Sequence, residues 1–176
     1  MKRLCLLRHA KSDWSDPAKD DFQRSLNARG VKSAEFMANF ISTSPYRPDA
    51  VLCSTARRAM ETFVPLRERL PAKTPVIFRD ELYHAMPDVL LNEIHRAPPD
   101  AKTLLVIAHN PGLVLLAMAL AHDPDEDIAL RVAHGVPTGG FIVFEFDVDD
   151  WSEIADGAGR TVFFGKPRDL MAAEKS

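Results

Sequence analysis

The chain has 176 residues, 46% of them apolar and 27% charged, with a net charge of −3; this is the composition of a globular protein with a real core, not of a disordered segment. The charge gives no electrostatic reason for a nucleic-acid or anionic-membrane partner, and the longest apolar run, residues 113–121, is about half of what spans a bilayer. Cys5 and Cys53 each lie inside an apolar run, so buried, reduced thiols in a cytoplasmic protein are expected.

Residues 4–7 are too few for a helical pattern and suit a strand buried on both faces of a parallel sheet, with Arg8 and His9 at its carboxyl end. Arg8 also interrupts the run before it reaches the apolar segment of a signal peptide. Residues 11–25, with Trp14 and Phe22 as the large apolar side chains, read as a long loop. Asn27 offers an N-cap to a helix reaching about Ser42, with Val31, Ala34, Met37, Ala38 and Ile41 as its core-facing stripe. Pro45 and Pro48 end that unit. Residues 49–53 form a second strand, after which Ser54 and Thr55 can cap a helix bearing Ala59, Met60, Phe63, Leu66 and Leu70. Pro65 should kink that helix or end its regular part. A short strand at 75–78 is followed by a loop over 79–86 and a helix that Pro87 opens. Residues 103–108 are the clearest strand, and they run straight into His109. Asn110-Pro111-Gly112 turns the chain into an apolar helix over 112–121. A turn-rich stretch through Thr138-Gly139-Gly140 leads to a strand at 141–146 and a last strand near 160–164, with a tail after Leu170 that should fray.

Strands alternating with helical patterns predict an α/β fold, a three-layer α/β/α sandwich with a mostly parallel central sheet. Right-handed crossovers would bring several strand ends to one edge, where such sheets bind ligands. His9, Ser54 and His109 each directly follow an apolar strand, so the fold itself predicts their proximity. A histidine that attacks phosphorus must be neutral, and the anionic group it attacks needs fixed positive charge on its oxygens. Arg8 and one of Arg57 and Arg58 suit that task, because a guanidinium fork holds two phosphate oxygens at once. His109 can donate from the opposite wall, and the chemistry needs no metal. His84, His95, His122 and His134 have no spacing that gathers metal ligands. Asp123, Asp125 and Asp127 resemble the opening of a calcium loop, but Ile128 stands where glycine is required and His134 where glutamate is. Trp14 and Tyr83 either line a pocket mouth or cover a core edge.

Five motifs in sequence carry a family resemblance: Leu7-Arg8-His9-Ala10-Lys11-Ser12, Asp21-Phe22-Gln23-Arg24-Ser25-Leu26-Asn27 with Gly30, Ser54-Thr55-Ala56-Arg57-Arg58-Ala59 with Thr62, Glu81-Leu82-Tyr83, and His109-Asn110-Pro111-Gly112. Together they resemble the histidine phosphatase superfamily, of phosphoglycerate mutase-like fold, and within it the phosphohistidine phosphatases of the SixA type. The resemblance implies one domain over residues 1–176, no cofactor and no metal. It makes His9 the nucleophile that carries the phosphoryl group, Arg8 and Arg58 its phosphate ligands and His109 a donor to its oxygens, leaving Arg57 on the helix surface. Arg24 lies in a stretch resembling the family's Arg-Pro-Leu-Thr, from which Ser25 and Asn27 depart, and is either a third cation or part of a loop salt bridge. Asn110 either offers its backbone N–H to phosphate or caps the next helix. The family's acid motif has no strong match; Glu81 is the nearest candidate proton donor, with Asp13 behind it. A phosphohistidine substrate relaxes that demand, since its P–N bond is labile. The expected function is metal-independent hydrolysis of phosphohistidine in a protein or peptide. A phosphomonoesterase for a small molecule such as a sugar phosphate, and a phosphate-binding regulatory module, are the alternatives. The short chain leaves little room for lid insertions, so an open site is expected; the partner is a phosphorylated protein or a small phosphate-containing substrate, neither nucleic acid nor membrane.

Overall fold

The computed structural model describes residues 1–122, 132 and 134–174. The apolar runs form six strands, β1 (Lys2–Arg8), β2 (Ala50–Ser54), β3 (Val76–Arg79), β4 (Thr103–Ala108), β5 (Phe141–Phe146) and β6 (Arg160–Gly165), joined in one sheet of order β3-β2-β4-β1-β5-β6. The first four pair in parallel, while β5 runs antiparallel to both β1 and β6. Alternate residues of each buried strand serve two cores. Leu4, Leu6, Leu52 and Val106 meet Leu90 and Ile94 of α3 (Pro87–His95) and Leu113 and Leu116 of α4 (Gly112–Leu120). On the other face Cys5, Leu7, Cys53 and Ile107 meet Met37 and Ile41 of α1 (Ala28–Thr43) and Phe63 and Leu66 of α2 (Arg57–Arg67). Helices on both sides of a mixed, mostly parallel sheet make the expected three layers. Among the described residues no helix is long and apolar enough to cross a membrane.

Several local expectations change. The Asn27 side chain does cap α1, accepting from the Gly30 N–H at 2.9 Å, but Val31 is 52% exposed because Gly30 takes its place in the buried stripe. Met60 likewise faces outward from α2. Ser54 and Thr55 do not cap that helix, whose N-cap is Ala56 without a side-chain bond; Ser54 is recruited to the site edge described below, and Thr55 Oγ1 donates to Asp80 Oδ1. Pro65 lies within α2, only two residues before its end, where the lost donor and the crowded preceding turn burden a single final turn. The tail is helical as α5 (Pro167–Ala173). Short 3-10 turns at Asp21–Gln23 and Asp80–Leu82 interrupt the two stretches read as loops. The rejected calcium-loop segment, residues 123–128, lies outside the described residues.

Register positions the site. Arg8 pairs with Ala108 across β1 and β4, and Cys53 with Ile107 across β2 and β4, so His9, His109 and Ser54 leave the sheet nearly level with one another.

Candidate active site

The end of β1 is tied down from three sides. The His9 N–H donates to the Ala108 carbonyl at 3.2 Å, and the Gly139 N–H donates to the Arg8 and His9 carbonyls at 3.0 and 3.1 Å. Gly139 has φ +75°, a backbone conformation other residues adopt only at a cost. Thr62 of α2 accepts from the Ala10 N–H at 2.9 Å and donates to the Arg58 carbonyl at 2.6 Å, which couples the helix carrying Arg58 to the strand carrying His9.

Within a cleft of about 580 Å³ lie Arg8, His9, Arg58, His109 and Asn110, with Asp21 and His84 beside them. His9 is 6% exposed, and its Nδ1 is 2.7 Å from the Ala10 carbonyl oxygen. A carbonyl only accepts, so Nδ1 carries the proton and Nε2 keeps its lone pair. Arg58 Nε–H donates to that Nε2 at 3.3 Å. Burial first, and then the charges of Arg58 and Arg8, push the His9 imidazole down to about 4, against the Ala10 hydrogen bond; the ring is neutral at physiological pH. Arg58 is fixed by Asp21, its Nη1 donating to the Asp21 carbonyl at 2.6 Å and its Nη2 to Oδ2 at 3.0 Å. Arg8 Nη1 donates to the Val136 carbonyl at 2.9 Å, an acceptor shared with Asn110 Nδ2 at 3.0 Å. Arg8 Nε, His109 Nδ1 and Asn110 Oδ1 are buried with no partner among the described residues.

His109 stands 4.9 Å from His9, ring centre to ring centre, and its Nε2 is 2.8 Å from Ser54 Oγ. Ser54 Oγ also accepts from the Ala56 N–H at 3.3 Å, and its hydroxyl hydrogen can serve His109 Nε2, the pairing that goes with a proton on Nδ1. Burial, reinforced by His9 and Arg58, drives this imidazole down to about 2.

The expected set therefore meets in one place for Arg8, His9, Arg58, His109 and Asn110, while Arg57 pairs with Glu61 on the helix surface. Of its two readings, Arg24 takes the loop one, 3.9 Å from the Asp21 carboxylate. It is 5% exposed but turned into the loop, donating to the Asp13 and Asp16 carbonyls and lying 4.1 Å over the Trp14 ring; it fastens the loop and does not line the cleft. Glu81 is exposed in the 3-10 turn at Asp80–Leu82 and does not line the cleft either. Asp13 is half-buried, accepts from the Ser15 N–H and does not line the cleft. The carboxylate that does line the cleft is Asp21. Burial works against its charge, yet hydrogen bonds from Tyr83 Oη at 2.6 Å and from Arg58 hold it below the usual carboxylate range.

Sequence reasoning left Asp21 and His84 without a role. Asp21 sits inside a motif that was legible, but its partners come from α2 and the turn before α3. His84 has φ +51°, stacks on Tyr83 at 4.0 Å between ring centres, and places Nε2 3.3 Å from Asp21 Oδ2. That segment is pressed against α4, since a Cβ on Gly112 would stand 1.8 Å from the Ala85 carbonyl oxygen. His95 and His122 are satisfied by the Ile154 and Gly157 carbonyls. Among the described residues no group of three or more His, Cys, Asp or Glu side chains is placed to hold a metal ion.

A neutral histidine set between two guanidinium groups and a second histidine, at the carboxyl edge of a parallel sheet, defines a site suited to a phosphoryl group. Residues 4–85 match the family model of the histidine phosphatase superfamily, branch 1. An uncharacterized protein of Mycobacterium tuberculosis is 34% identical over 164 residues, covering 92% of this chain and 100% of that protein. The SixA structure from Agrobacterium tumefaciens superposes with a TM-score of 0.76 at 29% identity, covering 94% of this chain and 98% of that one. That from Nakamurella multipartitia gives 0.81 at 27% identity, over 94% and 96%. The chain belongs to the histidine phosphatase superfamily.

Proposed function

We propose that this protein hydrolyses phosphohistidine in a protein or peptide, without a metal, through a phosphoryl intermediate on His9, and that it does so in the cytoplasm as one domain. The observation that carries the reading is the Nδ1–H bond from His9 to the Ala10 carbonyl, which leaves Nε2 unprotonated in the cleft. In the first step His9 Nε2 bonds to phosphorus as the substrate's P–N bond breaks, and the departing imidazole nitrogen takes a proton. Arg8, Arg58 and the Nδ1–H of His109 bind the non-bridging oxygens, whose charge they stabilise in the transition state. Water then bonds to phosphorus, the bond to His9 breaks, and inorganic phosphate leaves with His9 still protonated at Nδ1.

The nature of the leaving group follows from Asp21. It is the one carboxylate among the cleft's described lining residues, and its ion pair with Arg58 and its bond from Tyr83 keep it ionised. A site without a carboxylic acid at neutral pH favours a substrate whose leaving nitrogen is readily protonated. The names of the SixA proteins, which assign them to phosphohistidine, agree with this.

The test is phosphate release from a phosphohistidine peptide and a set of sugar phosphates, with and without EDTA. Release from the peptide should be insensitive to EDTA, abolished in His9→Ala and reduced by about 10²-fold or more in Arg58→Ala. Labelled phosphate should be trapped on the protein in an acid-labile, alkali-stable form. Full activity of His9→Ala would sink the mechanism; preference for the sugar phosphates would move the substrate to small esters; binding without turnover would leave a regulatory module.

A further inference from the structure

The chemistry above leaves one proton unassigned. The departing nitrogen must gain it, and the water that attacks phospho-His9 must give one up. Asp21 is ionised, Glu81 lies outside the cleft, the His9 hydrogen is committed to the Ala10 carbonyl, and that of His109 is spent on the phosphoryl oxygens. Resting on that reading of His9, the geometry points to His84, oriented by Asp21, as the side chain that delivers the proton to the leaving group and recovers it from water.

His84 lines the same cleft as His9, Arg58 and His109, and its ring centre is 6.0 Å from that of His109. Its Nε2 faces Asp21 Oδ2 at 3.3 Å, and the same oxygen accepts from Tyr83 Oη at 2.6 Å. The Asp21 carboxylate beside Nε2 orients the ring, which leaves Nδ1 as the nitrogen free to give and take a proton. The stack on Tyr83 and the left-handed backbone at position 84 hold the ring at the cleft rim. Charged and titratable groups stand around it on each neighbouring element: Asp21 from the first 3-10 turn, Tyr83 from its own segment, His109 from the end of β4, and Arg58 from α2, which lines the same cleft and lies over the Tyr83 ring. The side chain is 59% exposed, which lets it re-equilibrate with solvent between turnovers.

The proton balance closes. His84 enters protonated, passes its Nδ1 proton to the leaving nitrogen or oxygen as that atom separates from phosphorus, and is then neutral. It next takes a proton from the water whose oxygen bonds to phosphorus, and ends protonated as inorganic phosphate is released. His9 keeps its Nδ1 proton throughout, and the sum is substrate plus water giving product plus phosphate.

His84→Asn is the informative variant, since asparagine tolerates a positive φ and removes only the titratable ring. Wild type and variant are compared on phenyl phosphate, whose leaving oxygen needs a proton, and on p-nitrophenyl phosphate, whose leaving oxygen does not. The variant should lose about 10²-fold on the first and less than about 3-fold on the second, a loss typical of a missing general acid. On the phosphohistidine peptide, the decline of kcat/KM with rising pH should flatten in the variant. Equal losses on both esters would assign His84 a structural role and overturn the proposal, as would unchanged activity on phenyl phosphate. Should the peptide not be cleaved while both esters are, the substrate reading fails and the ester comparison still decides His84. Absence of any phosphoryl group on His9 would overturn both.

Discussion

His9 and His109 carry the chemistry because burial keeps both rings neutral, and that choice has a thermodynamic consequence. The folded His9 titrates at about 4 and His109 at about 2, against 6.5 for an unperturbed ring. As pH falls below about 6.5 the unfolded chain takes up two protons that the folded chain refuses, so stability declines; above 6.5 neither state binds them and the two rings contribute no slope. Each ring can add up to about 1.4 kcal/mol per pH unit to the decline. Denaturant unfolding at pH 7, 6 and 5 should show this slope, and His9→Asn combined with His109→Asn should flatten it; an unchanged slope would assign the acid sensitivity elsewhere. The same residues were the legible ones. Arg8, His9, Arg58 and His109 stand in short motifs at strand ends, so their meeting follows from local sequence plus the parallel sheet. Asp21 and His84 were not, because each acquires its role only from the other and from Tyr83, across a backbone turn whose positive φ falls on a residue that does not announce it.

At the scale of elements, periodicity located the six strands and the helices α1 to α4, but it missed α5 in the tail and erred where a stripe meets its edge. In α1 the buried positions are Gly30, Ala34, Met37, Ala38 and Ile41. Gly30 was hidden from a hydrophobicity pattern because its use is to have no side chain: a Cβ there would stand 2.1 Å from the Lys11 carbonyl oxygen. Gly112 does the same for α4, and through Ala85 it sets the position of Tyr83 and His84. Gly112→Ala should therefore destabilise the fold by about 1–3 kcal/mol and also lower turnover. Gly157, with φ +69° and open space where a Cβ would go, separates the two effects. Gly157→Ala should cost about 1–2 kcal/mol from its backbone alone and leave kcat unchanged. Melting temperatures and kcat measured side by side check both; equal loss of turnover in the two variants would show that position 112 has no special hold on the site.

For the whole molecule, the decisive feature is that β1 and β4 lie side by side at the middle of the sheet. Composition and alternation gave the α/β class, but nothing local states that the first strand pairs with the fourth, and it is that pairing which sets two histidines 100 positions apart against each other. The cysteines share the arrangement. Cys5 on β1 and Cys53 on β2 are fully buried in the same core beneath α1 and α2, and burial pushes both thiols well above their ordinary range. Neither can meet a thiol-specific reagent unless the sheet itself opens, so the labelling rate of the native protein reports on global unfolding without any engineered probe. Under conditions where reclosing outpaces reaction, both positions should be modified at one common rate, with a free energy equal to that from denaturant titration; faster modification of Cys53 alone would reveal that the β2–β3 side of the sheet parts first.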